Sequence, residues 1–225
     1  MATAPVALKR VPPTELPAAT LAALQSGAGL DLETAREAAA GCQACDLWAR
    51  ATQTVFGTGP VPARLMLVGE QPGDREDIEG EPFVGPAGGV LARALEEAGL
   101  PQEQAFVTNV VKHFKWRPSG KRRLHERPNR VEVGACLPWV ETELSLVRPE
   151  ALVLLGATAA QALAGPKISV MRDRGKPLGL PLAPLVVATV HPSSILRAGD
   201  EREAAYRAFV RDLRGVARWL GGRAG

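Results

Sequence analysis

The chain has 225 residues, an apolar fraction of 46% and a mean hydropathy of -0.02, which suits one substantial core in a globular protein. Its longest apolar runs are broken by Arg, Pro or Glu well before the ~20 residues that a membrane helix needs. The formal charge is only +3, yet residues 112–130 carry eight Lys/Arg against the single acid Glu126, a local +7 that leaves the rest of the chain net negative. Such a concentration is the footprint of a phosphate-backbone contact; a solvated basic surface would intersperse acids. The N-terminus lacks a basic-then-apolar leader pattern, and a cytoplasmic location is expected. Three cysteines cannot form a disulfide framework. The pair Cys42-Gln-Ala-Cys45 with Cys136 points instead to metal or cluster ligation.

Residues 1–30 are Pro/Ala-rich at the start and are read as a loosely ordered extension to a single domain over 31–225. Asp31 is placed to cap a helix over 32–41 that delivers Cys42 and Cys45. A buried strand is predicted at 64–70, a helix at 86–100 closing on Gly99, and a β-branched strand at 105–111. The basic stretch KHFKWRPSGKRRLHERP (112–128) is expected to be a loop. A helix over 130–147 follows, with Pro138 as a kink or break, then a strand at 151–156 and a short helix over 157–165. The last strand is predicted at 185–192, and an amphipathic helix at 200–220 ends the chain. Strands apolar on both faces that alternate with helices form a parallel sheet with helices on each side.

Sites in such sheets lie beyond the carboxyl ends of the strands. Polar groups gather there: Gly69-Glu70-Gln71-Pro72-Gly73-Asp74 after the first strand, Thr108-Asn109 at the end of the second, and His191-Pro192-Ser193-Ser194 after the last. Glu70 could act as a base or steady a developing positive charge, or could simply be part of a polar loop. His191 could donate a hydrogen bond to a leaving group, while Ser193 and Ser194 could bind phosphate or cap a turn. In GPAGG (85–89), glycines permit close backbone approach at a helix start.

Together GEQPGD, EPFVGPAGG, VTNVVKHF and HPSSILR resemble the motif set of the family-4 branch of the uracil-DNA glycosylase superfamily. KRRLH (121–125) is similar to the KRRIH insertion of the UdgX subgroup, with Leu124 in place of isoleucine, and Gln71 in GEQPG fits that subgroup too. The resemblance spans Cys42 to the C-terminus. It implies a three-layer α/β/α sandwich around a four-stranded parallel sheet, a monomer that excises uracil from DNA, single-stranded DNA preferred, and no membrane partner. By the same resemblance Phe83 would stack on the flipped uracil, Asn109 would read its edge, Gln71, Asp74 and Ser193 would complete the pocket, and His191 would stabilise the departing anion.

The resemblance further implies that His125 bonds to the deoxyribose carbon and leaves protein and DNA covalently joined, with Glu70 accepting its proton or orienting it. Lys121, Arg122 and Arg123 would hold the segment against DNA phosphates. Cys42, Cys45 and Cys136 match three of four cysteine ligands of the family's [4Fe–4S] cluster. The fourth departs from that pattern, and His113 stands in its place; three Cys and one His would also suit a structural zinc. Two other readings stand beside this one: a multiple-turnover glycosylase in which His125 only contacts phosphate, and a non-catalytic binding module.

Overall fold

A computed structural model describes residues 31–223; the expected N-terminal extension lies outside the described residues. Helix α1 (Leu32–Ala40) starts at Asp31, whose side chain accepts from Thr34 N at 2.8 Å. Then come β1 (Leu65–Gly69), a short helix α2 (Asp74–Glu79), α3 (Pro86–Ala98) and β2 (Ala105–Asn109). The basic segment holds two strands, β3 (Trp116–Ser119) and β4 (Arg122–His125), before the long helix α4 (Arg130–Val147). β5 (Ala151–Leu155), α5 (Gly156–Ala164), α6 (Val170–Asp173), β6 (Leu185–Thr189), α7 (Pro192–Leu196) and α8 (Arg202–Gly221) complete the chain. No helix among the described residues is long and apolar enough to cross a membrane.

The main sheet has the order β2-β1-β5-β6 and is parallel throughout. Every residue of its four strands is buried, because the period-2 alternation of the pleat serves two helical layers. Leu65, Leu67, Val107 and Val153 pack towards α3, α7 and α8. Met66, Val68, Phe106, Leu152, Leu154 and Ala188 pack towards α4 and α5. This is the expected α/β/α sandwich.

From β1 the chain runs outward to β2 on one side and, later, through β5 to β6 on the other. Strand order therefore reverses between β1 and β5, and the crevice beyond those two carboxyl ends is where such a sheet offers a site.

Several expectations are corrected. The strand predicted over 105–111 ends at Asn109, although the amides of Val110 and Val111 still bond to Gly69 O and Glu70 O. The last strand stops at Thr189, three residues before Pro192, which opens α7 instead. Pro138 does not break α4, which runs unbroken from Arg130 to Val147. The terminal helix begins at Arg202, after a 3-10 turn at Gly199–Glu201. The basic loop is an antiparallel hairpin with Trp116 opposite His125. Gly120, at φ 57, supplies the left-handed residue its two-residue turn requires.

Candidate active site

Glu70 leaves β1 at the strand-order reversal. Its Oε2 accepts a short hydrogen bond from Thr158 Oγ1, on the first turn of α5 directly beyond β5. Arg127 Nε lies 3.9 Å from the same oxygen and donates to Thr158 Oγ1 at 3.1 Å. The other oxygen, Oε1, faces His125 Nε2 at 3.6 Å. The His125 side chain is half exposed, at 50%. Its partial burial and the cation of Arg197 hold its pKa below 6.5, against an opposing pull from Glu70.

His125 reaches this position because the hairpin is fastened at two places. Gln71 is buried, and its carboxamide is fully used: Nε2 donates to Lys115 O at 3.2 Å and Glu126 O at 3.0 Å, while Oε1 accepts from Lys115 N at 3.3 Å. Arg123 donates to Asp74 and Asp77 and lies over the Phe114 and Trp116 rings. The sequence groups Arg123 with Lys121 and Arg122 as phosphate contacts, but the structure separates them. Arg123 is turned inward onto two aspartates, so Asp74 binds a guanidinium and Gln71 the hairpin backbone.

The same pairing thins the basic segment. Lys112 is buried against Glu143 at 2.7 Å, Lys115 pairs with Glu132 at 3.0 Å, and Arg117 approaches Glu126 at 3.6 Å. Among the described residues Lys121, Arg122 and Arg130 are left without an acidic partner. The exposed charge is smaller than the residue count suggests.

Phe83, Asn109 and His191 cluster next to Gly69, the residue before Glu70. Phe83 stands at φ 60, a backbone region that costs a bulky residue roughly 1–2 kcal/mol. Glu76, buried, holds it there by accepting from Gly73 N and Gly85 N, both at 3.1 Å, which pins the loop on either side. Gly88 packs against the Phe83 carbonyl so closely that any Cβ would overlap it. Gly69 is equally crowded: a Cβ there would run into Asn109 Oδ1 and the Phe83 ring. Asn109 is buried, and its carboxamide makes no protein hydrogen bond among the described residues. The His191 ring stacks near Phe83, with centroids 6.0 Å apart.

His191 Nδ1 accepts from Ser193 N at 3.2 Å. In the neutral ring its proton therefore sits on Nε2, as a donor. Deep burial, aided by the cations of His125 and Arg197, lowers its pKa to about 4, so the ring is neutral at physiological pH. Ser193 thus serves the histidine, with Oγ 2.9 Å from Nδ1, and Ser194 Oγ donates to His191 O. The site combines an aromatic floor, a free carboxamide, a neutral imidazole donor, and a carboxylate facing a second imidazole.

Residues 56–214 match the family model described as the uracil DNA glycosylase superfamily. The chain belongs to this superfamily. It is 36% identical over 167 residues to the Type-4 uracil-DNA glycosylase of Thermotoga maritima, covering 74% of this chain and 83% of that protein. The Type-4 enzyme of Pyrobaculum aerophilum is 35% identical over 191 residues, 82% of this chain and 92% of the relative. That of Archaeoglobus fulgidus is 35% identical over 169 residues, 72% and 81% of the two chains.

In this superfamily member the three cysteines come together where α1 ends against α4. Cys136 and Cys45 share a hydrogen bond that lowers the Cys45 thiol to about 7 and, with burial, raises that of Cys136. Cys42 Sγ accepts from Trp139 Nε1 at 3.3 Å. His113 Nε2 lies 2.9 Å from Thr54 Oγ1, which also donates to Ala39 O at 3.0 Å, three residues before Cys42. Among the described residues no group of three or more His, Cys, Asp or Glu is arranged to hold a metal; the four candidate ligands bond to protein neighbours.

Sequence reasoning passed over Thr158, Arg127 and Glu76. Glu76 carried a local signal, a Gly three residues before it at a helix start. Thr158 had none, because its partner is 88 residues away.

Proposed function

We propose that the protein is a uracil-DNA glycosylase of the UdgX kind, which excises uracil and then bonds through His125 to the abasic sugar. The observation that carries the reading is the approach of His125 Nε2 to Glu70 Oε1, 3.6 Å, on the chain segment that continues from Gly69, against which Phe83 and Asn109 pack, with His191 stacked near Phe83. Uracil, flipped from the strand, stacks on Phe83 and offers its edge to Asn109. The C1′–N1 bond breaks with its electron pair passing to uracil, and His191 Nε2–H donates to the oxygen where that negative charge gathers. Glu70 faces the oxocarbenium ion left behind. The neutral imidazole of His125 then gives its Nε2 lone pair to C1′, and the resulting imidazolium loses its Nδ1 proton to solvent.

Single-stranded DNA is preferred because extruding a base from a duplex costs a few kcal/mol. Lys121 and Arg122, unpaired at the hairpin tip, reach its phosphates, and one chain suffices for the reaction. Replacing His125 with Ser is expected to abolish a detergent-resistant protein–DNA complex on a denaturing gel while uracil release continues and turns over. A His125→Ser protein that still crosslinks like the parent defeats the assignment. Glu70→Gln should slow excision by about 100-fold or more, read as single-turnover uracil release. A multiple-turnover glycosylase is the second reading, favoured by the gap between Glu70 and His125, which exceeds hydrogen-bond length. Free abasic strand in excess over enzyme would establish it.

The donor set of Cys42, Cys45, Cys136 and His113 suits a [4Fe–4S] cluster, with structural zinc the alternative. Support comes from the joint burial of Cys42, Cys136 and His113. When bound, such a group supplies rigidity between α1 and the segment entering the hairpin. Iron, sulfide and zinc analysis of purified protein decides between them, and zinc alone would exclude the cluster.

A further inference from the structure

The turn from β5 into α5 touches both halves of the site. Gly156, at φ 89, lies so near His191 that a Cβ there would fall 2.9 Å from the histidine's own Cβ. Two residues on, Thr158 turns its hydroxyl towards Glu70. A threonine early in a helix commonly bonds backwards to a carbonyl, but this one makes two side-chain contacts of opposite sense. A guanidinium has no acceptor, so the 3.1 Å bond can run only from Arg127 Nε to Thr158 Oγ1. The single hydroxyl proton is then committed to Glu70 Oε2. With Oε2 held, the carboxylate cannot rotate freely, and Oε1 is the oxygen left facing His125. Thr158 is only 7% exposed.

We infer that Thr158, oriented by Arg127, is a positioning residue that aims Glu70 at His125, and so sets whether the sugar cation is captured by the imidazole or by water. This rests on the His125 reading above. Its separate content is a partition: a Glu70 that swings loses its hold on the ring, while uracil departure still generates the cation.

The test compares the parent, Thr158→Val and Thr158→Ser with a single-stranded uracil oligonucleotide at saturating concentration, scoring adduct and free abasic strand in the same lanes. Thr158→Val keeps the shape and removes the proton. It is expected to slow adduct formation about 10-fold and to release part of the product as free abasic strand, with oligonucleotide affinity within about two-fold of the parent. Thr158→Ser restores the hydroxyl and should restore both rate and partition, which a packing role for the methyl group would not do. A parent that forms no adduct sinks the His125 reading. A parent that forms adduct alongside a Val variant of equal rate and partition overturns the Thr158 assignment alone, as does a Ser variant that behaves like Val. Should the Val variant fail to fold, Arg127→Gln, at a side chain 61% exposed, takes its place: it frees the hydroxyl and should shift the partition the same way, and an unchanged partition refutes the inference.

Discussion

His125 titrates under opposed influences: burial and Arg197 favour the neutral ring, Glu70 the charged one, and the neutral ring wins. Only that form has a lone pair to give, so the pH at which adduct formation falls to half should lie below 6.5, the usual histidine value. A rate that halves near pH 7 or above would mean that Glu70 dominates the ring. Single-turnover gels between pH 5 and 8 make the measurement. A second outcome concerns Gly88, whose missing side chain lets α3 approach the Phe83 carbonyl. Gly88→Ala should cost at least about 2 kcal/mol in denaturant unfolding, since the clash is with backbone, which cannot swing aside. At this scale the sequence was informative where a residue's role is announced by its place at a strand end, as with Glu70, Asn109 and His191. It was silent where the role is conferred by a distant partner. Thr158 reads as one more small residue of an alanine-rich helix until folding brings Glu70 beside it.

Among the elements, the four buried strands and their helices were legible because apolar runs between glycines and polar turns carry their own signal. The hairpin was not. Its strands are four residues each, one contains Pro118, and five of the ten residues from Trp116 to His125 are basic or histidine. Nothing in that pattern alternates, and an isolated two-stranded ribbon is marginal in water. It is held from outside, by Gln71 at its base and by Asp74 and Asp77 on Arg123. Gln71→Ala removes three hydrogen bonds at once. It should therefore lower the adduct rate about 10-fold or more while leaving the melting temperature within a few degrees, because the hairpin stands apart from the core. An adduct rate equal to the parent's would show that the Arg123 clasp alone positions His125.

Across the whole molecule, two buried ionisable features set the conditions under which this architecture stays folded. His191 has a folded-state pKa of about 4 against 6.5 for the free side chain. Between those values the unfolded chain binds a proton that the folded chain refuses. Stability from this residue is therefore complete above pH 6.5 and declines as pH falls towards 4, by about 3 kcal/mol in all. Melting temperatures at pH 7.5 and 5 should differ accordingly, and His191→Gln should narrow the difference.

The second feature is the ion pair of Lys112 and Glu143, with side chains 1% and 0% exposed. Lys112 Nζ also donates to Thr108 Oγ1 at 2.6 Å and Asn109 O at 2.8 Å, while Glu143 accepts from Gly57 N at 2.8 Å and from Thr108 Oγ1. Three segments remote in sequence thus meet behind the residue that lines the pocket. Removing one charge strands the other, so Glu143→Leu should cost about 3–5 kcal/mol. A solvated surface pair would cost under about 1 kcal/mol. Replacing both, as Lys112→Met with Glu143→Leu, removes the stranded charge and should recover most of that loss, though the amide of Gly57 and the hydroxyl of Thr108 then lack partners. Denaturant unfolding of the parent, single and double variants gives the coupling directly. Additive losses in the double variant would mean that water reaches this cluster and that Asn109 stands on a softer base than its burial implies.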